Sequence, residues 1–327
     1  MASSSTTSHN GTMSLPEPTS TTQPPATKEI IVVSISDLHT IPLSEVHIPP
    51  GDILIIAGDL SEGRPAQLLQ RLSELRALSH TIKIVIGGNH DRALDVKCDV
   101  RDAAIYNDLC ERQQCRAAFR EAKGSDILYL EDESTDVTIG GRTFKVFGSP
   151  KSLATSTNTA FGYSEDDDFS SWKIVPPDVD ILVTHGPPAG YLSDDKNGCD
   201  GLRKALWRVR PMLHVFGHVH SSYGTTTLSY DDAQKAFEAQ HLSRISEARN
   251  QRKLQQAASG GRYIPPHHRS KQLGEPGATE SEQIPPAFPA KDPLLKAPVL
   301  VQGQTVLINA AVKTSGTPRG AIVAKIP

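Results

Sequence analysis

The chain is short of several features that would place it at once. Its four cysteines, Cys98, Cys110, Cys115 and Cys199, are few for 327 residues and irregularly spaced. Neither a disulfide framework nor a zinc finger is indicated, and a reducing compartment fits. No apolar run reaches the roughly 18 residues of a membrane-spanning helix, so no such helix is expected. A basic excess is missing too, with 34 Lys and Arg against 37 Asp and Glu and a net charge of -3. A generally nucleic-acid-binding or membrane-surface protein would need the opposite balance to attract phosphates or anionic lipid. The N-terminus has neither the basic start and apolar stretch of a signal peptide nor the arginines of a transit sequence. A cytoplasmic location is therefore the default expectation. No internal repeat is evident.

What is present divides the chain. Residues 1–27 are mostly Ser, Thr, Pro and Gly, too polar to offset the entropy of ordering, and are expected to be a disordered tail. Residues 28–327 are enough for one large α/β domain with additions. β-Branched runs without polar alternation at 30–36, 53–57, 82–86, 179–184 and 213–216 predict strands buried on both faces. Leucines at 68, 69, 72, 75 and 78 repeat at helical spacing, so 65–78 reads as an amphipathic helix with Pro65 in its first turn. A second helical region spans about 100–123, with Ile105, Leu109 and Phe119 as core contacts. Strand segments at 137–139 and 142–147 flank Gly140 and Gly141, a two-residue hairpin turn whose glycines permit positive φ. The triplet Asp166, Asp167 and Asp168 reads as a solvated loop, since three consecutive carboxylates cannot all point at one ion. A short helix is expected at 201–209. Residues from about 225 to 297 turn charged, Gln-rich and then Pro- and Gly-rich, and read as an insertion, an exposed helix followed by a disordered loop. Strands return at 299–302, 305–310 and 321–326.

The chemistry gathers at strand ends. Five of the apolar runs deliver Asp37 and His39; Asp59; Asn89 and His90; His185; and His218 and His220. In α/β sheets sites form at the carboxyl ends of strands, so five such ends can meet in one crevice. Carboxylate, amide and imidazole donors without thiolate suit Mn, Fe, Zn or Mg. Even without His90, seven ligands exceed the needs of one ion. Two ions about 3.5 to 4 Å apart, bridged by a carboxylate, would use them; such a pair clamps a phosphoryl group and generates hydroxide near neutral pH.

The ordered motifs Asp37-Leu38-His39, Gly58-Asp59, Gly88-Asn89-His90-Asp91, Thr184-His185-Gly186-Pro187-Pro188 and Gly217-His218-Val219-His220 resemble the calcineurin-like metallophosphoesterase family. The resemblance runs over about 28–222 with a short tail near Asn309, and is nearest to the metallophosphoesterase-domain-containing proteins of animals. It implies a four-layer α-β-β-α sandwich, two mixed sheets face to face with helices outside. It also implies roles: Asp37, His39, Asp59 and His220 around one divalent ion and Asp59, Asn89, His185 and His218 around the other, manganese first among the metals. His90 would protonate the leaving alcohol, with Asp91 as its orienting partner.

The activity so implied is metal-dependent phosphoester hydrolysis through a metal-bridging hydroxide, on a phosphodiester in preference to a monoester, cyclic nucleotides included. The competing reading is a nucleotide-binding or scaffold protein with weak turnover, whose insertion recruits protein or nucleic acid. Its support is Arg244, Arg249, Arg252 and Lys253 on the insertion's helix and the segment from Arg262 to Arg269 beyond it.

Overall fold

The computed structural model describes residues 1, 28–101, 109–122, 126–154, 159–164, 167–194, 196–258 and 295–327. The expected N-terminal tail, Ile105 and the segment from Arg262 to Arg269 lie outside them, as do the side chains of Arg249, Arg252 and Lys253.

The apolar runs form strands because β-branched side chains fit a pleat covered on both faces. In chain order these are β1 (Ile30–Ile35), β2 (Ile53–Ala57), β3 (Ile82–Ile86), β4 (Ile127–Tyr129), β5 (Glu133–Ile139), β6 (Arg142–Ser149), β7 (Ser152–Leu153), β8 (Gly162–Tyr163), β9 (Ile181–Thr184), β10 (Leu213–Phe216), β11 (Gly224–Leu228), β12 (Leu295–Lys296), β13 (Thr305–Asn309) and β14 (Ile322–Ile326). The helices are α1 (Pro65–Arg76), α2 (Val96–Arg101), α3 (Leu109–Glu121), α4 (Asp168–Ser171), α5 (Asp200–Val209) and α6 (Asp232–Ala258). One six-stranded sheet runs β12-β14-β1-β2-β3-β4, and a second runs β11-β13-β10-β9-β6-β5. Both are mixed. The β1 to β4 strands are mutually parallel with β14 antiparallel beside β1, while β6, β9, β10 and β13 are parallel between antiparallel edges.

Strand alternation divides the core into layers. Val32, Ile53, Ile55, Ile84 and Ile86 of the first sheet meet Val146, Ile181, Val183, Leu213 and Val215 of the second. The opposite faces, Val33, Ile35, Leu54 and Ile56, pack on Leu68, Leu72 and Leu75 of α1 and Phe119 of α3. Leu182, Phe216 and Leu307 cover Trp172 and the α5 residues Leu202 and Leu206. At roughly 1.5–3 kcal/mol for each large aliphatic side chain taken from water, these layers fix which face of every strand turns inward. The result is an α/β fold of two mixed sheets flanked by helices. Because the parallel strands of each sheet end on one side, the carboxyl ends of β1, β2 and β3 come to lie beside those of β9 and β10, and Ala57 at the end of β2 accepts a hydrogen bond from His185 beyond β9 at 2.8 Å. Among the described residues no helix is long and apolar enough to cross a membrane.

Four expectations are corrected. Residues 224–228 belong to the second sheet, not to an insertion: β11 pairs antiparallel with β13 from Gly224↔Asn309 to Leu228↔Thr305, and its three consecutive threonines are strand formers. The segment 299–302 is not a strand, since Val299 and Val301 face solvent at 74% and 53% exposure, and the pairing falls earlier, to β12. Asp168 is buried, its carboxylate accepting from Gly201 N at 2.9 Å and facing Cys199 Sγ at 2.7 Å, where it holds the start of α5. Nor is the helix of the expected insertion merely exposed. Glu238 of α6 is 5% exposed and accepts from Tyr191 Oη, Arg203 Nη1 and Trp207 Nε1, which docks the first turns of α6 on α5.

Candidate metal centre

Each candidate ligand lies within four residues after a strand, where the backbone leaves the sheet and must turn sharply. Four of them, Asp37, His39, Asp59 and His218, have φ of 57°, 49°, 52° and 70°. The left-handed region costs a non-glycine residue roughly 1 kcal/mol or more, and such conformations cluster at functional sites. Close approach sets a second requirement. A Cβ at Gly217 would stand 2.1 Å from Ser36 Oγ and 2.2 Å from Asp37 Oδ2, and one at Gly88 would stand 2.3 Å from Asp59 Oδ1.

The side chains gather in two groups. In one, His39 Nε2 and His220 Nε2 face each other at 3.2 Å, His220 Nε2 is 3.1 Å from Asp37 Oδ1, and His39 Nε2 is 3.6 Å from Asp59 Oδ2. In the other, Asn89 Oδ1 is 2.8 Å from both His185 Nε2 and His218 Nδ1, and His185 Nε2 is 3.4 Å from Asp59 Oδ1. Asp59 thus turns one oxygen to each group. All seven sequence-derived ligand candidates are in these contacts, and all but Asn89, His218 and His220 are almost wholly buried.

The donor chemistry calls for positive charge. His185 Nδ1 is spent on Ala57 O, and His218 Nε2 is 3.2 Å from Asn197 Oδ1. With those nitrogens carrying protons, the other nitrogen of each ring faces the Asn89 carbonyl oxygen, itself an acceptor, and the contact calls for a second proton or a metal ion between them. An outer hydrogen bond that fixes the tautomer is what a metal-ligating histidine needs. The ionisation states agree. Burial opposes a charged Asp59, yet His185 and His39 hold its carboxyl far below the usual range. Burial likewise opposes a proton on His185, but Asp59 and Asp37 together with Ala57 O push that ring up to about 9. His218, desolvated and beside His185, is pushed down to about 4. A buried site that retains anionic carboxylates and recruits a proton onto one ring suits a divalent cation, and the oxygen and nitrogen donors fit the hard-to-borderline metals.

The two proposed proton-handling residues part company. The His90 ring lies at the rim, T-shaped to His39 with centroids 4.6 Å apart. Its Nδ1 is 3.1 Å from Glu62 Oε2, so Glu62 and not Asp91 is its carboxylate neighbour. Asp91 instead accepts from Leu60 N, Ser61 N, Ser61 Oγ and Gly88 N, between 2.9 and 3.0 Å, and ties the β2 and β3 exits together. Burial, with the Asp59 charge adding to it, pushes its carboxyl up to about 7. Adjacency in sequence does not make them partners, because the Asp91 carboxylate is taken up by the Leu60, Ser61 and Gly88 amides while the His90 ring faces Glu62. Glu62 was missed altogether. Its Oε1 also lies 2.9 Å from His39 Nδ1, out of line for a hydrogen bond, and accepts from Lys313 Nζ at 3.0 Å. The signal for it was faint: a carboxylate three residues after Asp59 in the same loop.

A joint crevice of two sheets, lined by buried carboxylates and imidazoles with one histidine left at the rim, forms a candidate centre for divalent metal. The chain belongs to the calcineurin-like phosphoesterase family, whose model matches residues 32–222. Among curated relatives it is similar to "Metallophosphoesterase domain-containing protein 1" of Homo sapiens, 32% identical over 64% of this chain and 65% of that protein. It is also similar to "Probable rhamnogalacturonate lyase C" of Emericella nidulans, 39% identical over 64% of this chain but only 19% of that protein. The chain therefore spans less than two thirds of the length of either. A solved structure with some likeness, "Phosphopantetheinyl Hydrolase (PptH) from Mycobacterium tuberculosis", has a TM-score of 0.39 at 20% identity, covering 63% of this chain and 88% of that one.

Proposed function

We propose that the protein is a phosphodiesterase with a dinuclear centre. Asp37, His39, Asp59 and His220 would hold one ion, and Asp59, Asn89, His185 and His218 the other. The observation that carries this reading is Asp59, whose Oδ2 is turned to His39 and Oδ1 to His185. The ions, manganese first with Fe, Zn or Mg as alternatives, would supply Lewis acidity and a nucleophile from water.

The chain's own residues do the rest. Asn89 and Asp59 orient the imidazoles, and His90 N donates to Asp59 Oδ1 at 2.8 Å, fixing the carboxylate against the β3 exit. His90 holds a proton on the ring nitrogen away from Glu62 and passes it to the departing alkoxide, a role for which its position at the rim fits. Glu62 keeps that ring turned toward the opening. Cyclic nucleotides are the first diesters to try. Cys98, Cys110, Cys115 and Cys199 form no disulfide with one another, which fits a cytoplasmic setting.

The test is metal content together with turnover. Full-length protein loaded with Mn(II) should carry two ions per chain and hydrolyse a chromogenic diester faster than the matching monoester. Asp59→Asn should lower both occupancy and rate, and His90→Ala should lower the rate at full occupancy. A single ion per wild-type chain would sink the dinuclear reading, and equal rates for wild type and Asp59→Asn at matched loading would sink the hydrolase reading.

A further inference from the structure

The segment between β13 and β14 is outside the span matched by the family model, yet it forms a wall of the site. Ala311 bridges to Ser36, next to Asp37, and Val312 N donates to Ser36 O at 2.9 Å. Arg319 bends the segment back. Its N donates to Val312 O at 3.0 Å, and its Nη1 donates to His220 O at 2.6 Å and to Ala311 O at 3.2 Å. The guanidinium also lies over the Tyr223 ring, 5.0 Å from its centroid, while Tyr223 Oη donates to Gly320 O at 2.8 Å. One arginine thus joins the turn that carries His220 to the loop that carries Lys313.

Lys313 ends in the cluster at the rim. Its Nζ donates to Glu62 Oε1, the carboxylate that also touches His39 and His90, and its side chain is 33% exposed. Two physical considerations give that ammonium a task. Glu62, 35% exposed beside the rim histidine, would repel an approaching phosphate unless a cation offset it. An ammonium has three donors, and the contact to Glu62 uses one.

We propose that Lys313 is a substrate-binding residue whose ammonium takes a non-bridging oxygen of the substrate's phosphoryl group, and that Arg319 is the positioning residue that keeps Lys313 at the rim. The inference rests on the phosphoesterase reading and adds a phosphate-oxygen contact to it. The lysine side of this contact is a point charge on a flexible stem, so it selects for the anionic phosphoryl group and not for the shape of the alcohol.

Inorganic phosphate is the probe. Its affinity for the Mn(II)-loaded full chain is measured by calorimetry, beside KM and kcat for a chromogenic diester and metal content. Lys313→Met should weaken phosphate and raise KM about tenfold, the size of one charge-assisted hydrogen bond, with kcat changed less and metal content unchanged. Lys313→Arg should recover most of the affinity. Arg319→Lys should weaken phosphate in the same direction. Wild-type phosphate affinity in Lys313→Met overturns the proposal, and so does a parallel loss of metal, which would make Lys313 a structural support of Glu62. Wild type that binds phosphate without turnover would instead overturn the hydrolase reading and leave Lys313 to be judged by the phosphate titration.

Discussion

Gly217→Ala offers a sharp test of how the site is built, because the collision can be located atom by atom. The added Cβ would sit 2.1 Å from Ser36 Oγ, 2.2 Å from Asp37 Oδ2 and 2.7 Å from Ser36 Cβ. Neither neighbour has room to retreat. Ser36 Oγ donates to Ala57 O at 2.9 Å, Asp37 Oδ2 accepts from His218 N at 2.9 Å, and both residues are completely buried. Relief requires the β1 and β10 exits to separate by about 1 Å. Overpacking of this kind costs about 1–3 kcal/mol, and losing one buried hydrogen bond adds about 1 kcal/mol. For a domain of this size the sum, about 2–4 kcal/mol, corresponds to a fall in Tm of roughly 3–8 °C. Asp37 and His220 would be displaced with the loop, so metal affinity should fall by at least about tenfold. Thermal melts of metal-free protein and metal analysis after dialysis against limiting Mn(II) read the two effects separately. The control is Gly316→Ala, where a Cβ meets nothing within 4 Å and Tm should hold. If Gly217→Ala melts with the wild type and retains its metal, the packing argument is wrong.

Three further outcomes are expected. Glu62→Gln should lower kcat by about tenfold to a hundredfold with metal content unchanged, since it removes the charge that orients His90; an unaltered kcat would remove Glu62 from the proton-transfer apparatus. Glu238→Ala should undock the start of α6 and leave Arg203 and Trp207 without their shared partner, costing about 2–4 kcal/mol, and hydrogen exchange should rise across the first turns of α6 while the metal centre stays loaded. His214, buried with Nε2 on Thr184 Oγ1 and no partner for Nδ1, is pushed down to about 3 by burial. Between there and its ordinary value the unfolded chain binds a proton that the folded chain does not, so stability is full above about pH 6.5 and lost as pH falls, by about 1.4 kcal/mol per unit. Denaturant melts at pH 7 and pH 5 should show a loss about 2 kcal/mol smaller in His214→Leu; parallel losses would exclude His214 as the source.

Much of the site was legible because buried strands write themselves as unbroken β-branched runs, and the residue that follows such a run must leave the sheet at its carboxyl end. Asp37, Asp59, Asn89, His185 and His218 each stand in that position. What could not be read is whatever depends on pairing over distance. Glu62, Lys313 and Arg319 lie in loops without periodicity, and it takes contacts over long sequence distance, such as the Ser36↔Ala311 bridge and Lys313 on Glu62, to bring the last of these loops to the site. Asp91 shows the converse: it is a neighbour of His90 in sequence but not in contact, because the turn sends its carboxylate to the backbone amides of Leu60 and Ser61. The Thr225-Thr226-Thr227 run carried a strand signal that the polar stretch after it obscured. Glu238 gave none, since a single carboxylate on a charged helix looks solvated until Tyr191, Arg203 and Trp207 are placed around it.

The position of the last strands has a consequence for the order in which the protein can be made. β13 inserts between β10 and β11, and β14 covers the open side of β1, so a nascent chain that has completed the family-matched region still exposes two unpaired edges. Such edges recruit other chains, and closing the one on β1 requires contacts between the first and last thirds of the sequence, which form slowly. The span by which the family is recognised is therefore smaller than the unit that folds. A ribosome-bound chain halted after Ser222 would have every candidate metal ligand already synthesised and still lack the strands that bring them to rest, so acquisition of metal should follow the synthesis of β14.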